Sequence, residues 1–120
     1  MHVIAAIAAV VAGLFHVLVF AMESVLFSRP EVHRRFGTAA ADLAAVRPWA
    51  LNQGFYNLFL GLGALAGVVI GASTGRALVA FACLCMVGAA LVLVATNRRM
   101  ARAALMQGLA PLVALIALLF

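Results

Sequence analysis

Apolar side chains dominate four long stretches of this chain, at about residues 3–27, 49–72, 77–96 and 101–120, with polar punctuation between them. Each stretch is long enough to cross a hydrocarbon core, which takes about 20 helical residues. Lipid supplies no hydrogen-bonding partner, so a lipid-exposed backbone must satisfy its own N–H and C=O groups, and each stretch is predicted to be an α-helix. The expected architecture is an all-α, integral membrane four-helix bundle forming one domain over residues 1–120. Residues 28–48 form its one longer loop. Ser28-Arg29-Pro30 ends the first helix, because proline disfavours helix in the residue before it. Thr38 to Val46 reads as a short helix lying on the membrane. Pro48 suits the first turn of the second helix, and Trp49 suits the headgroup boundary. The first stretch is too long for a cleaved leader and lacks a basic n-region and a small-residue cleavage site.

Polar side chains inside the predicted spans are few, and their depths agree. His16 and Glu23 are seven residues apart, hence on one helical face and about 10 Å apart along the axis. The second helix carries Asn52, Gln53, Tyr56 and Asn57, spaced as one polar stripe through its first turns. Gln107 lies about two turns into the fourth helix from Arg99. Polar groups within a span are costly and face protein or a water-filled cavity. The pattern therefore predicts a polar pocket in one half of the bundle, lined by helices one, two and four, with helix three as a supporting wall. The opposite halves of all four helices are almost wholly apolar.

Composition agrees with insertion in a bilayer. Of 120 residues, 68% are hydrophobic and 9% charged, against roughly 45–50% and 25% in ordinary soluble domains. A soluble fold of this length has too much surface for its volume to hide so much apolar side chain. Intrinsic disorder requires the opposite balance. The formal charge of +5 comes from eight arginines against Glu23, Glu31 and Asp42. With no soluble domain to carry a basic face, nucleic acid is not an expected partner, and the arginines read as topology signals. Arg29, Arg34, Arg35, Arg47, Arg98, Arg99 and Arg102 fall on one side and Arg76 on the other. The positive-inside rule then places both termini outside and the two arginine-bearing loops in the cytoplasm.

The remaining motifs give less chemistry. Gly63, Gly67 and Gly71 form a GxxxGxxxG run suited to close helix packing, either within this chain or against a second copy in a homo-oligomer. Cys83 and Cys85 point to nearly opposite sides of a helix and cannot bridge each other. His2, His16 and His33 are too scattered for a metal centre, since zinc takes three or four ligands, and no cofactor is expected. His33, Arg34 and Arg35 read as a solvated or lipid-facing basic cluster in contact with anionic headgroups.

Several of these residues also carry a resemblance. His16 followed by Met22-Glu23, the loop pair Phe36-Gly37, the block Asn52-Gln53-Gly54-Phe55-Tyr56-Asn57 and the segment Gln107-Gly108-Leu109-Ala110-Pro111 are similar to the domain-of-unknown-function 1304 family of small bacterial membrane proteins. The resemblance covers nearly the whole chain. It departs at Ser24-Val25-Leu26-Phe27, where the family has an aromatic cluster, and at Pro111, which stands farther from the glutamine. It implies four membrane helices, the bacterial inner membrane and the same polar residues, but no reaction.

Three functions fit these expectations. In the first, the pocket binds a lipophilic small molecule and performs acid–base chemistry such as isomerisation, cyclisation or epoxide opening. Glu23 is the acid or base, His16 and Tyr56 are further catalytic candidates, and Asn52, Gln53, Asn57 and Gln107 bind the ligand. In the second, Glu23 couples proton movement to small-molecule export by an oligomer. In the third, the chain is a structural or accessory subunit, Glu23 is paired with Arg29, Arg47 or Arg102, and the amides only hold helices together.

Overall fold

The computed structural model describes residues 1–120 and is all-helical. Helix α1 spans Val3–Phe20 and continues into a π-helical turn at Ala21–Val25. A short helix α2, Pro30–His33, and a 3-10 turn at Ala40–Asp42 lead into α3, Leu43–Ile70. Helix α4 spans Ala72–Thr96, a second 3-10 turn spans Arg98–Met100, and α5 spans Ala101–Ala117. Four helical segments, Val3–Val25, Ala40–Ile70, Ala72–Thr96 and Arg98–Ala117, are long and apolar enough to cross a membrane.

The four long helices pack as a ring. Helix α1 lies against α3 and α5, and α4 lies against the same two helices. The two loops rich in arginine share one end of the bundle. His2, Ile4 and Phe120 border a common cavity at the other, so the chain termini adjoin. At this terminal end the core is made of small side chains, with Ala5, Ala9, Val79, Cys83 and Ala114 fully buried. Ala12, Ala64, Ala82 and Met86 continue it toward the middle. Without a hydrophobic driving force between helices in lipid, such packing works by close van der Waals approach, which small residues permit.

Glycines set that approach, at positions only partly expected. A Cβ on Gly61 would lie 2.7 Å from the Gly13 carbonyl oxygen, and one on Gly13 would lie 3.0 Å from that of Gly61, so α1 and α3 cross backbone to backbone there. Gly67 meets Gly75 and Val79 of α4 in the same way. Of the predicted run, only Gly67 packs so closely. Gly63 would bring a Cβ no nearer than 3.9 Å to Ala82, and Gly71 lies at a positive φ of 64° as the turn between α3 and α4. Within the chain, the buried side of α3 carries Gly61, Ala64 and Gly67, and Gly63 and Gly71 do not join it.

Two helix starts also differ from expectation. Helix α4 begins at Ala72 rather than 77: the chain reverses at Gly71 and Ala72, both at positive φ, beside the contact between Gly67 and Gly75; Arg76 is thereby helical and donates from its guanidinium to the Leu118 carbonyl at 2.6 Å. Helix α3 begins at Leu43 rather than 49, and no separate surface helix covers 38–46. Pro48 sits at its sixth position. It withholds an N–H only from Ala44, whose carbonyl lies at the loop end, where disrupting the hydrogen-bond ladder costs less than deep in a helix.

Candidate functional site

The site begins with the π turn. Leu26 N–H donates to the Ala21 carbonyl at 2.9 Å, five residues back, which widens the helix around Glu23. Single π turns occur frequently at functional sites. A wider turn separates neighbouring side chains by less azimuth, and here both Glu23 and Ser24 meet α3. Ser24 Oγ–H donates to the Leu51 carbonyl at 2.8 Å. Glu23 Oε1 accepts from Asn57 Nδ2 at 2.6 Å, and the same amide donates to the Gln53 carbonyl at 3.2 Å. Gly54 makes this approach feasible: a Cβ there would collide with Ser24 Oγ and stand 3.1 Å from Glu23 Cβ. The glycine inside the Asn-Gln-Gly-Phe-Tyr-Asn block thus seats the carboxylate against its amide partner, a role sequence reading did not assign.

Glu23 is 8% exposed, and its partner is an amide rather than an arginine. The expected alternative, an ion pair with Arg29, Arg47 or Arg102, is not formed; the wide turn directs the carboxylate to Asn57 of α3. It borders a cavity of about 520 Å³ together with His16, Gln53, Tyr56, Asn57 and Gln107. Every predicted catalytic and ligand-binding position except Asn52 therefore lines one space. Asn52 turns instead to a neighbouring cavity of about 430 Å³, with Trp49, Thr38 and Phe36, which Glu23 also borders. The expected single stripe splits because consecutive helix residues diverge by about 100°. Helix α4 contributes more wall than support alone, supplying Ala89, Val92, Leu93 and Thr96 to the larger cavity.

His16 is buried, with Nδ1 at 2.9 Å from the Ala12 carbonyl. A carbonyl only accepts, so Nδ1 carries the hydrogen, and in the neutral ring Nε2 is left as an acceptor. No hydrogen bond joins His16 or Tyr56 to Glu23. The three side chains border the same space without touching through hydrogen bonds, an arrangement that leaves room for a molecule between them.

The loop between α1 and α3 closes this end of the bundle. His33 is 2% exposed, its Nδ1–H donates to the Thr38 carbonyl at 2.7 Å, and its ring lies 6.3 Å from that of Phe27. It is therefore a buried fastener and not part of a solvated basic cluster with Arg34 and Arg35. Phe36, 5.8 Å from Phe27 between ring centres, borders both cavities at Glu23. The sequence marks Phe36 only through the Phe36-Gly37 pair of the family resemblance and assigns it no role. No cluster of His, Cys, Asp or Glu suited to a metal is present, and Cys83 and Cys85 are free.

A family model described as protein of unknown function (DUF1304) matches residues 10–119, and the chain belongs to that family. No curated protein and no solved structure matches it.

Proposed function

We propose that this member of the DUF1304 family is a multi-pass protein of the bacterial inner membrane that binds a lipophilic small molecule in the cavity at Glu23 and performs acid–base chemistry on it. The observation that carries the reading is the convergence of a buried carboxylate, an imidazole, a phenol and three amides on one space of about 520 Å³ in an otherwise apolar bundle. The arginine asymmetry supports placing both termini outside and the loops between α1 and α3 and between α4 and α5 in the cytoplasm. Intramembrane ionisable groups are functional candidates by default, and a carboxylate held by one amide keeps acceptor capacity for a ligand.

In this reading Glu23 takes a proton from, or gives one to, the reacting carbon or oxygen. Tyr56 O–H and the amides of Gln53 and Gln107 donate to an oxygen on which charge develops. His16 Nε2 serves as a second proton acceptor. Isomerisation, cyclisation and epoxide opening all fit, since each needs proton transfer and no dedicated cofactor. Asn57 orients the carboxylate, and the apolar walls of α4 and α5 hold the body of the substrate.

A second reading, a proton-coupled exporter, is favoured by one specific observation: Glu23 borders two adjoining cavities, one on the bundle axis and one toward the loop. The two readings separate by isotope exchange. Lipophile extracted from purified protein is returned to fresh protein in deuterated buffer and followed by mass spectrometry. Deuterium incorporation or conversion by wild type, lost in Glu23→Gln, supports the enzyme. Retained binding with neither outcome supports the carrier.

A further inference from the structure

Arg35, Arg99 and Arg102 border a third cavity, of about 370 Å³, between α1 and α5. They come from two loops far apart in sequence, yet meet around one opening. No acidic residue lines it, and Arg76 at the opposite end is the arginine whose guanidinium finds an acceptor inside the protein. Below the three guanidinium groups the walls are apolar. Phe15, Leu18 and Met22 descend α1 over two turns, about 10 Å, and Met106 faces them from α5. Leu18 is 53% and Met106 58% exposed, so this wall is open to the side of the bundle.

We infer that this cavity is a binding site for an anionic phospholipid, with its phosphate held by Arg35, Arg99 and Arg102 and its acyl chains along Phe15, Leu18, Met22 and Met106. The charge pattern identifies the headgroup. A planar guanidinium offers paired donors to phosphate oxygens, and all eight basic side chains of this protein are arginine. The apolar wall identifies the source of the phosphate, because a soluble ion gains nothing from two turns of exposed hydrocarbon, whereas an acyl chain fits it. The site shares Phe36, Met100 and Gln107 with the cavity at Glu23, so a seated lipid would pack against the partition between them. The inference uses the meeting of the two arginine loops and is independent of any chemistry at Glu23.

The test is native mass spectrometry of the full chain in detergent, titrated with phosphatidylglycerol or phosphatidylcholine. Wild type is expected to prefer phosphatidylglycerol. Replacing Arg35, Arg99 and Arg102 together by Gln is expected to lower its affinity about a hundredfold, at roughly a factor of five per arginine. A control with the same charge loss, Arg29, Arg34 and Arg98 to Gln, is expected to stay within about threefold. Arg99→Gln alone, about fivefold weaker, carries the test should the triple variant not fold. Equal binding of the two lipids, equal losses in test and control variants, or displacement of the lipid by millimolar inorganic phosphate would each overturn the inference.

Discussion

At the terminal end of the bundle Ala5, Ala9, Val79, Cys83 and Ala114 are packed to zero exposure, while at the loop end His16, Glu23, Asn57 and Gln107 border an open space of about 520 Å³. The same four helices build both ends. Toward the first, the Gly67–Gly75 crossing brings backbones into contact, and Gly13–Gly61 does the same at mid-bundle. At the second, the π turn widens α1 around Glu23, and polar side chains of α1, α3 and α5 line a cavity. The close-packed half fixes the geometry in which the polar half can stay unfilled. In the proposed reading one half supplies stability and the other chemistry, and substitutions should sort accordingly.

The largest effect is expected at the crossing. Gly61→Leu places a side chain where even a Cβ stands 2.7 Å from a carbonyl, and should cost at least about 3 kcal/mol, the upper range for overpacking. Thermal unfolding followed by circular dichroism in detergent reads this. Gly63→Ala, two residues away, where a Cβ meets Ala82 at an ordinary 3.9 Å, should shift the melting midpoint little, and a loss equal to that of Gly61→Ala would refute the assignment of the packing face.

Met86→Ala comes next. Met86 is fully buried in the mid-bundle core, and truncation should cost about 2 kcal/mol through lost contacts, with ligand content unchanged. Arg76→Gln removes the guanidinium bond to the Leu118 carbonyl. It should cost about 1 kcal/mol and speed amide exchange over residues 118–120.

The smallest change in stability and the largest in function are expected at Glu23→Gln. An amide oxygen can still accept from Asn57, so stability should hold within about 1 kcal/mol, whereas ligand binding and any proton transfer should be lost. A collapse of the fold in this variant would place Glu23 on the structural side of the comparison.

How much of this was legible in the sequence follows from which contacts are local. Membrane insertion forbids stray polar groups, so His16, Glu23, Gln53, Tyr56, Asn57 and Gln107 stood out, and they meet in one cavity. Helix existence was equally plain. The gap between the predicted stretches, 73–76, is helical, because the reversal at Gly71 depends on a backbone contact between helices that no local pattern signals. Pro48 signals a helix start by local preference, yet stands inside α3, which begins at Leu43. Gly54 was hidden for the opposite reason: its neighbours Ser24 and Glu23 are thirty residues upstream, and only the assembled bundle shows why no side chain fits there. His33 looked solvated beside Arg34 and Arg35, and its burial depends on the loop folding back over Phe27.

The most direct test of the division between the two halves is mass spectrometry of small molecules that co-purify with wild type, Glu23→Gln and Met86→Ala. The account predicts a specific lipophile with wild type and Met86→Ala and its depletion from Glu23→Gln, at unchanged helicity in all three. Only bulk phospholipid in every sample, or equal retention of a lipophile in Glu23→Gln, would contradict it.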